Sequence, residues 1–175
     1  MSSLEQRITD TIRNIPDFPK PGIQYKDITP VLADHELMKG IIHHFTEQFA
    51  AADIDVVVGA ESRGFIFAAP LAMALQAKFV PVRKAGKLPY KTISKSYDLE
   101  YGSATLEIHE DAIQEGEKVL IIDDLLATGG TLAATCELVQ QIGGDIVSCA
   151  VLIRLAFLEG EKALGEIPCE AIVHF

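Results

Sequence analysis

The chain has 175 residues, 49% of them hydrophobic, enough for one domain with a substantial core. Its formal net charge of −10 opposes general binding to nucleic acid or to an anionic membrane surface, though not to an anionic small substrate, because the field inside a site can differ from the global one. No apolar run approaches the roughly 18 residues of a membrane span, and the polar start Met1-Ser2-Ser3-Leu4-Glu5 has no signal-peptide pattern.

Leu4 to Ile15 reads as an amphipathic helix, with Leu4, Ile8, Thr11, Ile12 and Ile15 on one side and Ser2 or Ser3 as its cap. Ile15-Pro16-Asp17-Phe18-Pro19-Lys20-Pro21-Gly22 breaks it with three prolines and a glycine, and a rigid extended loop follows from Ile23 to Pro30. Asp34 to Ala52 is a second helix, whose buried stripe is Leu37, Ile41, Ile42, Phe45 and Phe49; His43 and His44 on it carry no assigned role. Asp55 to Ala60 is a buried strand that ends in Glu61-Ser62-Arg63-Gly64 and leads into a helix from Phe65 to about Leu75. Strand, tight loop and helix start aim free backbone amides at an anion, and Arg63 adds a fork of donors suited to phosphate oxygens or an aromatic base edge.

Phe79 to Val82 is the next strand, and it runs into the cluster Arg83-Lys84-Ala85-Gly86-Lys87, a concentration of positive charge in an acidic chain. Leu88 to Glu100 is polar, hydroxyl-rich and without a long apolar period, so it reads as a lid loop. Ala104 to Ile108 alternates like a half-exposed strand, and Asp111 to Gly116 is a turn.

Val119 to Ile122 is a short continuous apolar run, a strand buried on both faces. Asp123 and Asp124 follow, then Ala127, Thr128, Gly129, Gly130 and Thr131, small residues that let a ligand approach the backbone, then a helix over Leu132 to Ile142. A loop that held phosphate alone would gain nothing from two acids. A carboxylate beside it accepts two charge-strengthened hydrogen bonds from a cis-diol, so the stretch asks for a ribose with a 5-phosphate. It is not a Walker loop, since no Lys follows the glycines, and it contains no Gly-x-Gly-x-x-Gly. Gly143-Gly144 closes the helix, Asp145 to Leu155 gives a further strand, Phe157 to Leu164 a short helix and Cys169 to Phe175 a last strand; Arg154 has no role derivable from its neighbours. Cys136, Cys149 and Cys169 lack metal-ligand spacing and have apolar neighbours, which predicts buried free thiols in a reducing, cytoplasmic setting.

Val119 to Thr131 resembles the phosphoribosyl-pyrophosphate (PRPP) motif of the type I phosphoribosyltransferases: a hydrophobic run, two acids and a small-residue loop ending in Thr. Two further stretches are similar to the adenine phosphoribosyltransferase family. These are the Pro16-Asp17-Phe18-Pro19-Lys20-Pro21-Gly22 lead with its Asp27-Ile28-Thr29-Pro30 exit, and Arg83-Lys84-Ala85-Gly86-Lys87-Leu88-Pro89. The resemblance implies a single α/β domain over 1–175, with a mostly parallel central sheet flanked by helices. A small hood, from about 16–30 and the C-terminal part, and a flexible lid at about 88–100 complete it. It implies an enzyme that transfers the phosphoribosyl group of PRPP to adenine, giving AMP and pyrophosphate, with Mg2+ carried by PRPP rather than by protein side chains. Asp123, Asp124 and Ala127 to Thr131 would hold the ribose phosphate, and Glu61, Ser62, Arg63, Gly64, Arg83, Lys84 and Lys87 the pyrophosphate. Backbone groups at Gln24 and Lys26, the Tyr25 ring, Arg63 and Leu155 would meet the base. Glu100 would manage the base's proton, with Tyr101 beside it in the lid. A homodimer is implied, with the Arg83–Lys87 segment shared between subunits. The rivals are a transferase for another purine base and a non-catalytic PRPP-sensing regulator of the same fold.

Overall fold

Seven strands form one sheet, in the order Thr92–Asp98, Ser103–His109, Lys78–Lys84, Val56–Ala60, Lys118–Leu126, Asp145–Arg154 and Cys169–His174, in this computed structural model, which describes residues 2–98 and 103–175. The chain divides into two compact units, residues 1–44 and 45–175, and the sheet belongs to the second.

In the first unit, α1 (Leu4–Thr11) is capped by Ser3, whose hydroxyl accepts from the Gln6 amide, and its Ile8 is buried. The helix stops short of the expected Ile15. Arg13–Pro16 instead forms β1, antiparallel to β2 (Gln24–Asp27), so the segment expected as a loop is the second arm of a hairpin. The cause is local: Ile15 precedes a proline and is steered toward extended backbone. Cross-strand polar pairs hold the arms together: Arg13 with Asp27 at 3.3 Å, and Lys26 Nζ donating to Asn14 Oδ1 at 2.6 Å. At the turn Asp17 takes a positive φ and its carboxylate accepts from Gly22 N at 2.7 Å, while Phe18 packs edge-on against Tyr25 with ring centroids 5.1 Å apart. A short α2 (Thr29–Leu32) follows, and α3 (His35–Phe49) carries the chain from one unit to the next.

In the second unit, β3 (Val56–Ala60) lies between β4 (Lys78–Lys84) and β7 (Lys118–Leu126), parallel to both. β8 (Asp145–Arg154) and β9 (Cys169–His174) extend the parallel array. The uninterrupted apolar runs of β3 and β7 are fully buried, as expected of strands covered on both faces. Alternation then assigns the covers. Val56 and Val58 share a cluster with Leu132, Cys136, Leu138 and Val139 of α5 (Gly130–Gln141). Gly59, with the opposite parity, meets Ala68 of α4 (Gly64–Leu75).

Of the Leu88–Glu100 segment, expected as a lid loop, the described part, residues 88–98, is mostly strand. Thr92–Asp98 is β5, paired antiparallel with β6 (Ser103–His109) from Thr92↔His109 to Asp98↔Ser103. Ile93 and Tyr97, spaced at the strand period, pack toward the core, and Ser96 and Thr105 hydroxyls meet across the pair at 2.8 Å. β7 also runs past the expected end at Ile122, so Asp123 and Asp124 are strand residues. The expected helix over Phe157–Leu164 is two 3-10 turns, Ala156–Leu158 and Gly160–Leu164.

Candidate active site

The carboxyl ends of β3 and β7 are neighbours in a parallel sheet, and the loops that leave them open toward the same space, the usual ligand crevice of an open α/β sheet. A cleft of about 360 Å3 lies there. It is lined by Glu61, Ser62 and Arg63 after β3, Lys84 at the end of β4, Tyr97 of β5, and the run from Asp123 to Leu132. Of the residues anticipated for ribose phosphate and pyrophosphate, these loops bring together Glu61, Ser62, Arg63, Lys84, Asp123, Asp124, Ala127, Thr128, Gly129, Gly130 and Thr131.

Gly129 precedes α5 at φ 87°, a left-handed conformation that suits glycine. The turn leaves the first amides of α5 without helical partners and at the cleft wall, where the positive end of the helix dipole lies. Gly64 is close-packed for a different reason. A Cβ there would lie 3.0 Å from both Asp123 Oδ1 and the Ile122 carbonyl oxygen, so glycine lets the start of α4 sit on the acid pair.

Asp124 is 4% exposed; its Oδ2 is 3.0 Å from Arg63 Nε, and its amide donates to Asp123 Oδ1 at 2.8 Å. Burial, and secondarily the Asp124 charge, push the Asp123 carboxyl well above the usual carboxylate range. Burial raises Asp124 too, opposed by the Arg63 guanidinium. The pair therefore resists ionising, Asp123 the more, and one arginine offsets this only in part.

Glu61 faces the basic cluster. It accepts from Lys87 Nζ at 2.7 Å, from the Lys84 amide at 3.0 Å and from Arg83 Nε at 3.3 Å. The Lys87 hydrogen bond is the main reason its carboxyl is held down to about 2, against the opposing effect of burial. Glu61 thus orients Arg83 and Lys87, whose charges it shares, and Arg83 Nη1 also donates to the Lys87 carbonyl at 3.2 Å.

Tyr97 was not anticipated as a cleft residue. Its hydroxyl lies 3.1 Å from Thr131 Oγ1. The signal was the alternation Ile93, Lys95, Tyr97, which the lid reading passed over; Lys95 pairs with Glu137 on α5. Leu155 follows β8, its amide donating to the Leu126 carbonyl at 2.9 Å. Gln24, Tyr25 and Lys26 stand on β2 of the first unit, where burial lowers the Lys26 ammonium pKa. Glu100 and Tyr101 lie outside the described residues. Among the described residues no three His, Cys, Asp or Glu side chains gather as a metal site, and no helix is long and apolar enough to cross a membrane.

The phosphoribosyl transferase domain family matches residues 27–166. An adenine phosphoribosyltransferase of Kosmotoga olearia is 52% identical, over 96% of this chain and 99% of its own. The crystal structure of an adenine phosphoribosyltransferase from Thermoanaerobacter pseudethanolicus is similar with TM-score 0.95 and 47% identity, covering 99% of this chain and 100% of that one. The enzyme of the same name from Saccharomyces cerevisiae, crystallised with an imino-altritol bisphosphate and adenine, has TM-score 0.92 and 39% identity, over 98% of this chain and 99% of that one.

Proposed function

The chain belongs to the phosphoribosyltransferase family and, within it, to the adenine phosphoribosyltransferases, and from that membership we propose that it transfers the 5-phosphoribosyl group of PRPP to adenine. The products are AMP and pyrophosphate. The observation that carries the reading is one cleft in which an acid pair, Asp124 buried and Asp123 half-buried, adjoins the amide-lined start of α5. The adenine bound to the yeast relative supports the choice of base.

The 5-phosphate lies on the amides and hydroxyls of Ala127, Thr128, Gly129, Gly130 and Thr131, at the positive end of α5. Asp123 and Asp124 accept from the ribose diol and supply negative charge as positive charge develops at C1. A bond forms from adenine N9 to C1 while the bond from C1 to the pyrophosphate oxygen breaks, its electron pair leaving with pyrophosphate. Ser62, Arg63 and Lys84, with Arg83 and Lys87 oriented by Glu61, receive that charge. Gln24 and Lys26 offer backbone groups to the base edge, Tyr25 its ring, and Arg63 and Leu155 the remaining base contacts. Glu100 takes the N9 proton.

The acid pair, both carboxyls raised by burial and Asp123 further by the Asp124 charge, suits a substrate that brings its own cation, so Mg2+ enters on PRPP. When bound, it neutralises charge on the departing pyrophosphate.

The chain works as a homodimer. Ile66 and Met73, seven residues apart on α4, and Phe79 are exposed, and α4 carries no charged residue, a face that a second copy would cover. The three cysteines are free, which fits a reducing compartment such as the cytoplasm.

Assays with PRPP, base by base, test the reading. Adenine with Mg2+ should give AMP, and a chelator should abolish turnover; hypoxanthine or guanine used as fast as adenine would make the base assignment wrong. Glu100→Gln should lose about 10²–10⁴-fold in turnover with PRPP affinity little changed. Asp124→Asn should weaken PRPP binding as well, because its diol bonds already exist in the ground state.

A further inference from the structure

The 3-10 turn Gly160–Leu164 packs directly against the loop that opens α5. A Cβ on Gly160 would lie 2.1 Å from the Ala127 carbonyl oxygen and 3.0 Å from Gly129 N. Reciprocally, a Cβ on Gly129 would lie 2.2 Å from the Gly160 carbonyl oxygen and 2.8 Å from Ala163 Cβ. The two backbones touch with no side chain between them, so a displacement of the turn is a displacement of the loop. The turn in turn hangs on Arg154, the last residue of β8. Arg154 Nη1 pairs with Glu161 Oε1 at 2.7 Å, and Nη2 donates to the Cys169 carbonyl of β9. Its Nε is buried without a hydrogen-bond partner among the described residues, so these two nitrogens carry the attachment. A planar guanidinium held at two points leaves little freedom in angle.

We propose that Arg154 and Glu161 are positioning residues for the 5-phosphate: their ion pair clamps the Gly160 turn, and the turn sets where the Ala127–Thr131 amides stand. This rests on the reading of that loop as the phosphate site. Neither residue lines the cleft, so their effect reaches substrate only through the loop. The bland alternative is a surface ion pair of negligible worth, since Glu161 is 53% exposed.

The test is steady-state kinetics on the full chain, with calorimetric titration of ribose 5-phosphate as a readout independent of turnover. Glu161→Gln and Glu161→Arg are the main variants, because the site is exposed enough to tolerate them. Each should raise the KM for PRPP and weaken ribose 5-phosphate by about fivefold, the upper range for an exposed pair, with the adenine KM and kcat within about twofold. Glu161→Arg adds positive charge, which by itself would attract PRPP, so a weakening cannot come from long-range electrostatics. Glu161→Asp, which keeps a carboxylate for the Arg154 guanidinium while leaving its bond to the Cys169 carbonyl intact, should retain most of the affinity. Gly160→Ala should weaken ribose 5-phosphate more than either Glu161 variant. Folded Glu161 variants with unchanged PRPP and ribose 5-phosphate affinity would overturn the proposal, as would equal losses for adenine and PRPP. A wild-type protein that neither uses PRPP nor binds ribose 5-phosphate would instead overturn the phosphate reading, and the proposal with it.

Discussion

Asp123 and Asp124 stand side by side at the end of β7, where burial makes both resist ionising and Arg63 opposes that only in part. An acid whose folded pKa is raised costs stability once the unfolded chain has ionised. For Asp123 that cost is absent below the ordinary Asp value of about 4, and grows as pH rises from there through the raised folded value. Asp123→Asn should therefore raise the melting temperature at pH 7 by about 2–4 °C per kcal/mol of repulsion and desolvation removed. The gain should vanish as pH falls below about 4. The same variant should lose affinity for PRPP, so thermal scans and kinetics move in opposite senses. A lower melting temperature at pH 7 would mean that the pair stabilises the fold, contrary to its electrostatics. The acids themselves were legible from their adjacency after an apolar run. Glu61 was legible as a member of its loop, but its job was not: only the fold brings Arg83 and Lys87 to its carboxylate.

β3 and α4 approach so closely that the contact selects glycine. A Cβ at Gly59 would lie 2.7 Å from Ala68 Cβ and 3.3 Å from the Gly64 carbonyl oxygen. Both clashes push α4 outward, and α4 begins beside Arg63, which pairs with Asp124. Gly59→Ala should cost about 1–3 kcal/mol through overpacking and lower the melting temperature. It should also raise the PRPP KM, because Arg63 retreats with the helix. An unchanged melting temperature would show that the helix adjusts without strain. At this scale the parallel strands and the two long helices of the second unit were readable from their apolar periods. The β1–β2 hairpin was not, because Arg13, Asn14, Lys26 and Asp27 pair through polar side chains that leave no apolar alternation. β5 was missed likewise: its outward residues Ser94 and Ser96 look like loop composition until β6 is placed beside them.

An acidic chain that handles a polyanionic substrate must concentrate its cations. Arg63, Arg83, Lys84 and Lys87 gather around the ends of β3 and β4, in a molecule whose net charge is −10. The uncharged helix α4, with Met73 82% exposed, is the other feature that acts at the scale of the whole molecule. Burying such a face removes water from apolar area. Sedimentation should give twice the 19.0 kDa chain mass, and Met73→Lys should shift the balance toward monomer and lower activity. A wild-type monomer with full activity would overturn the dimer.

The order of chemical parts along the chain follows from the residues alone. An apolar run, an acid pair and a small-residue loop before a helix constrain backbone path and ligand chemistry within a dozen neighbours, and local sterics and hydrogen bonding suffice to read them. What lies beside what is another matter. That Tyr97 meets Thr131, that Glu61 gathers Lys87 and Arg83, and that Gly160 interlocks with Gly129 depend on strand order and on backbones packed without intervening side chains. Such contacts join residues tens of positions apart, and they exist only once the seven strands have settled their order.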